Sequence, residues 1–62
     1  MVPIEIYYLA EKVRRYGTFD YDKESVENGH HYRTTYYIMD NALYDICMKD
    51  GEIVSFRYIS MS

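Results

Sequence analysis

The stretch Asp40-Asn41-Ala42-Leu43-Tyr44-Asp45-Ile46-Cys47-Met48-Lys49-Asp50-Gly51 decides the fold, because it supports two different periodicities. Read as a helix, Asp40 is the N-cap, Ala42, Leu43, Ile46 and Cys47 form one apolar face, and Gly51 lies beyond the end. Read as a strand, Tyr44, Ile46 and Met48 alternate, and Asp50-Gly51 closes a hairpin onto the segment that follows. Local pattern supports both alternatives equally.

The flanking segments are less ambiguous. From Glu52 to about Ser60, Val54, Phe56 and Tyr58 point one way while Ile53 and Ile59 point the other. Apolar residues on both faces imply that neither face of this strand is fully solvated. In a chain of 62 residues a second covering layer is expected from another copy. Residues 30 to 38 form the clearest strand: Tyr32, Thr34, Tyr36 and Ile38 share a face, opposite Arg33, Thr35 and Tyr37. Asn28-Gly29 just before them is a strong turn signal. Residues 18 to 25 also alternate, with Thr18, Asp20, Asp22 and Glu24 on one side and Phe19, Tyr21 and Lys23 on the other. Residues 3 to 16 read as a helix whose apolar stripe is Ile6, Leu9, Val13 and Tyr16. Pro3 suits its first turn, Glu5 and Arg14-Arg15 suit its dipole, and Gly17 is a natural stop.

A chain this short makes one domain, residues 1–62, and buries only about 60% of the surface its unfolded form exposes. Its lone cysteine, Cys47, excludes an intrachain disulfide and points to a reducing compartment or to indifference to oxidation. No apolar run approaches the roughly 20 residues of a membrane span, and Met1 to Glu5 show no signal peptide. The expectation is a cytoplasmic protein that makes no membrane contact and gains stability by pairing with itself. Ten carboxylates against seven Lys/Arg give a net charge of −3, which works against direct binding of nucleic acid. Nine tyrosines are more than one small core needs, so several are expected at a contact surface.

Catalytic and metal chemistry find little purchase. His30 and His31 are adjacent on an extended run, so their imidazoles diverge, and with Cys47 they lack the spacing of a zinc site. Nothing orients a base for Cys47, and three glycines build no phosphate loop. No cofactor, no metal and no enzymatic activity are expected. The acidic row Asp20, Asp22 and Glu24 is more suggestive. Its carboxylates would stand about 6.8 Å apart on one strand face. Such a row either guards an exposed sheet edge or imitates a phosphate backbone before a protein that grips nucleic acid.

From about Thr18 onward the chain resembles the small dimeric uracil-DNA glycosylase inhibitors of certain Bacillus phages. The shared pattern is an acidic turn ending in Gly29 with Tyr32 three residues on, then Tyr44-Asp45-Ile46-Cys47, then Glu52-Ile53-Val54-Ser55-Phe56-Arg57-Tyr58. The resemblance implies an α+β fold: a three-stranded antiparallel sheet with one packed helix, Asp40 to Met48, in a homodimer. Residues 18–62 would form this core, and the helix 3–16 would be an addition to it. It also implies a DNA mimic that occupies the DNA-binding groove of a host uracil-DNA glycosylase, or of another DNA-binding enzyme, in the bacterial cytoplasm. Tyr44, Asp45, Met48 and Tyr32 would then contact the target in an aromatic-lined pocket, with Asp20, Asp22 and Glu24 facing its phosphate-binding surface. Met48 stands where the family has an aromatic, and a flexible thioether can fill that role. The alternative is a small Tyr-rich dimeric interaction or regulatory module without mimicry.

Overall fold

The computed structural model describes residues 2–61. One helix, α1 (Ile4–Tyr16), precedes four strands, β1 (Thr18–Glu27), β2 (His30–Met39), β3 (Ala42–Lys49) and β4 (Glu52–Met61). The strands form one antiparallel sheet in the order β1-β2-β3-β4. The fold is therefore mixed α+β, as expected, but two expectations are corrected. The sheet has four strands, not three, and residues 42–49 are a strand, not the helix Asp40 to Met48 that the resemblance implied.

Turn chemistry explains the correction. Each hairpin closes through two residues with positive φ: Asn28 (52°) and Gly29 (78°), Asp40 (54°) and Asn41 (62°), Asp50 (50°) and Gly51 (88°). Positive φ at both central positions is the mark of a type I′ turn, whose twist matches that of the paired strands. Asp and Asn tolerate this left-handed backbone better than other residues with a Cβ. Asp40 thus opens a turn where the helical alternative made it an N-cap. As a strand, β3 pairs with β2 along one side and β4 along the other. A helix there would have left β4 without a strand partner and β2 paired on one side only.

Alternation sorts β3 cleanly, with Ala42, Tyr44, Ile46 and Met48 facing α1 and Leu43, Asp45, Cys47 and Lys49 facing away. The core is small: Ala10 and Val13 of α1 bury against Ile46 and Ile53, with Val2, Tyr37, Met39, Tyr44, Met48 and Phe56 packed around them. Full burial of a side chain such as Ile46 is worth about 1.5–3 kcal/mol. The buried stripe of α1 is Ala10 and Val13 with half-buried Ile6, so the expected stripe is rotated. Leu9 and Tyr16 are 44% and 68% exposed. Ala10, with almost no side chain, lets the helix lie close to the sheet.

Gly17 ends α1, but for a steric reason rather than a left-handed one, since its φ is −78°. Its N–H donates to the Val13 carbonyl at 2.8 Å. A methyl group here would lie 2.6 Å from that same oxygen and 3.3 Å from the carbonyl oxygen of Ile38. Both neighbours are backbone and cannot yield cheaply. Gly17→Ala is expected to cost about 1–3 kcal/mol, a fall in melting temperature of roughly 5–20 °C, measurable by circular dichroism.

Asp50 fastens the corner where β2, β3 and β4 meet. Its carboxylate accepts the His31 backbone N–H at 2.9 Å and pairs with His30 Nδ1 at 2.8 Å. The His31 N–H first, and His30 second, hold the Asp50 pKa below its ordinary value of 3.8. A carboxyl with a lowered pKa in the fold stabilises it above the unfolded value and loses that contribution as pH falls through the folded one. Asp50→Asn is therefore expected to flatten the stability profile below about pH 4, with little change in shape near neutrality, as read by urea titration across pH.

Candidate functional site

The sheet has two unlike faces, and α1 covers only one of them. On the covered side the register lines up Phe19, Tyr37, Tyr44 and Tyr58 across all four strands. Tyr44 stacks on Phe56 with ring centroids 5.6 Å apart and meets Tyr58 edge-on at 5.7 Å. Tyr44 and Met48 therefore belong to the packing beneath the helix.

The acidic row does not form one continuous face. Between Phe19 and Tyr21 the β1 register shifts, leaving Asp20 as the extra residue of a bulge. Beyond it, Asp22 and Glu24 turn to the helix side and find cations there. Arg33 reaches Asp22 at 3.1 Å and Glu24 at 3.3 Å, and His31 Nε2 lies 3.3 Å from Glu24. His30 takes Asp50 instead, so the two imidazoles serve separate partners. Among the described residues, no three or more His, Cys, Asp or Glu side chains converge as a metal site would require.

The open face carries the arrangement that sequence reasoning missed. One row across it runs Tyr21, Tyr36, Asp45 and Arg57. Tyr21 and Tyr36 stack with centroids 4.6 Å apart at 12°. Asp45, only 1% exposed, lies at the centre of the sheet. Arg57 Nε donates to its two carboxylate oxygens at 3.1 and 3.2 Å, while Nη2 donates to Oδ2. The hydrogen bonds Arg57 donates to Asp45, reinforced by the carboxylate's charge, raise the Arg57 pKa above the ordinary guanidinium value. Arg57 itself is 64% exposed. A bidentate pair fixes the plane of a guanidinium, so a buried acid holds an exposed arginine in one orientation.

Two lysines lie beyond this row, toward the turns at 28–29 and 50–51. The Lys23 ammonium lies 5.8 Å from the Tyr36 ring centre, and Lys49 lies 6.0 Å from that of Tyr32. Both distances are within cation–π range. Of the residues singled out from sequence, Tyr32 and Asp45 lie on this face, and only Tyr32 has surface to offer. Tyr44, Met48, Asp22 and Glu24 lie on the other face, and Asp20 stands in the bulge. The sheet does not bring the seven together. The missed signal was a hairpin count: Lys49 opposite Glu52 fixes β4, but a register shift near Val54 is needed to set Arg57 against Asp45.

Removing Arg57 would leave a buried carboxylate without its partner. Because the carboxylate is buried while Arg57 is largely exposed, Arg57→Ala is expected to lower the urea midpoint measurably, though less than the loss of a fully buried pair would. The double replacement Asp45→Leu/Arg57→Leu should recover most of that loss, since apolar substitution of a buried ion pair is often neutral. Urea midpoints of the three proteins decide it. No family model, curated protein or solved structure matches this chain.

Proposed function

We propose that this chain is a small non-enzymatic interaction module that works as a homodimer and meets its partner through the uncovered face of its sheet. One observation carries this reading: a carboxylate at 1% exposure is spent on orienting Arg57, which stands 64% exposed on a face that also carries Tyr21 and Tyr32. A buried ion pair is a poor stability device, so its value lies in what the arginine presents. Tyr and Arg are also the residue types that anchor protein contact surfaces.

A second copy is supported by the surface left uncovered. The accessible area is 4659 Å² for 7.5 kDa, against about 4,250 Å² for a monomer of that mass. Ile4 at 80% and Tyr8 at 70% exposure lie on α1, away from the sheet, and offer a place for the copies to meet without covering the open face.

A narrower reading makes the partner a nucleic-acid-binding enzyme, with uracil-DNA glycosylase preferred and the chain acting as a DNA mimic in the bacterial cytoplasm. The net charge of −3 and the exposed Asp20 favour it. The pairing of Asp22 and Glu24 with Arg33 and His31 weakens the negative field that such mimicry needs.

Sedimentation velocity together with a uracil-excision titration tests both levels. A dimer at micromolar concentration, converted to monomer by Ile4→Asp/Tyr8→Asp, is the expected result. A monomer at every accessible concentration would refute self-association. Inhibition of the glycosylase at about one dimer per enzyme would establish the narrower reading, and none at large excess would eliminate it.

A further inference from the structure

β1 is an edge strand, and past the bulge at Asp20 it pairs with β2 without a break from Tyr21 to Glu27. Its other side carries main-chain groups that no strand of this chain meets. Which groups these are follows from the turn at 28–29. A two-residue turn closes on a hydrogen-bonded pair, here Glu27 and His30, and such pairs alternate along an antiparallel ladder. Glu27, Ser25 and Lys23 therefore turn their N–H and C=O groups toward β2, while Val26, Glu24 and Asp22 turn theirs outward. The His31 N–H agrees with this phase, since it points away from β1 to Asp50.

The side chains of this edge are complementary to themselves. Lys23 and Glu27 share the open face about 13.6 Å apart, too far to meet each other. Lys23 lies against the Tyr36 ring, and Glu27 accepts from Ser25 Oγ at 3.4 Å. Among the described residues, neither meets an opposite charge in its own chain. On the helix side, Asp22 and Glu24 are already offset by Arg33.

We infer that the β1 edge pairs with the β1 edge of a second copy, antiparallel about a two-fold axis at Ser25, with Lys23 of each copy against Glu27 of the other.

In this register Glu24 and Val26 exchange main-chain hydrogen bonds with Val26 and Glu24 of the second copy. An axis at Lys23 would instead set Lys23 on Lys23 and Asp22 on Glu24, and an axis at Glu24 would set that acid on itself. Like charges directly opposite are destabilising. The charged row that guards the edge against other strands thus admits this one strand in this one register. Nothing in the fold obstructs it: every residue of β1 is exposed except half-buried Asp22, and α1 leads in at Thr18, roughly 24 Å along the strand from the axis. The four strands of each copy join in one continuous sheet, with both helices on one side and both open faces on the other. This contact goes beyond the one offered by Ile4 and Tyr8 and does not depend on it. It is also weaker, with a Kd of roughly 10⁻⁴–10⁻³ M, because an edge contact buries little surface.

Disulfide trapping in a glutathione buffer tests both the contact and its register. Opposed residues of a non-hydrogen-bonded pair have Cα atoms about 4.5 Å apart, within disulfide range. With Cys47→Ser removing the native thiol, Ser25→Cys at high protein concentration should oxidise to a cross-linked dimer. Tyr21→Cys, exposed on the same strand, should not, because the axis holds its two copies far apart. Lys23→Glu should slow trapping of Ser25→Cys about tenfold, and Lys23→Glu/Glu27→Lys should restore it. The cross-link should persist with Ile4→Asp/Tyr8→Asp, so that the strand contact and the helix contact are read separately. Circular dichroism verifies that each variant is folded.

Equal trapping of Ser25→Cys and Tyr21→Cys would overturn the inference, because the thiols would then meet by collision. Absence of trapping in folded Ser25→Cys overturns it, as does trapping indifferent to Lys23→Glu. Loss of the cross-link with Ile4→Asp/Tyr8→Asp overturns it too, since the edges would then meet only through the helices.

Discussion

Ile53 and Phe56 must both reach the underside of α1, yet they are three residues apart, and a regular strand points such residues to opposite faces. The conflict is resolved by one extra residue. A register shift at Val54 sets Ile53 opposite Met48 and Phe56 opposite Ile46, so both join the core. The same shift flips the residues from Ser55 to Tyr58, until a second one at Ile59 restores the phase. Arg57, which strict alternation would place with Ile53 under the helix, instead lands opposite Asp45 on the open face. Packing on one side and the ion pair on the other are two results of a single insertion. β1 repeats the device, where Asp20 lets Phe19 and Asp22 share a face.

This explains how far the sequence could be read. The helix, three of the strands and two of the three turns follow from local pattern, because periodicity and Asn-Gly or Asp-Gly are local signals. β3 was legible only as one of two alternatives, since Ala42, Leu43, Ile46 and Cys47 suit a helix as well as Tyr44, Ile46 and Met48 suit a strand. What settles it is long-range: two strands waiting on either side for hydrogen bonds. The site was harder still. Bulges carry no strong signature in a single chain, so Asp22 and Glu24 were assigned to the face opposite Phe19, and Arg57 was given no face at all. Tyr32 was recognised, but Tyr21, Tyr36, Lys23 and Lys49 acquire meaning only once the faces are separated.

The bulges also shape the edges. β1 and β4 are the outermost strands, each ten residues long, and such edges invite pairing with other chains. β4 is interrupted near Val54 and again near Ile59, so it offers no long unbroken ladder, whereas β1 is broken only at Asp20 and runs regularly from Tyr21 to Glu27. Strand addition along β4 is thereby disfavoured.

The meander has a kinetic consequence as well. Every strand pairs only with its neighbours in sequence, through loops of two residues. Each hairpin can close in about 1–10 µs without waiting for distant chain. The helix is different: α1 packs against β2 and β4, and its buried Val13 needs Ile46 and Ile53 in place. During synthesis α1 is made before the strands it packs on and docks after them, staying amphipathic and unpartnered until β4 has closed the sheet beneath it.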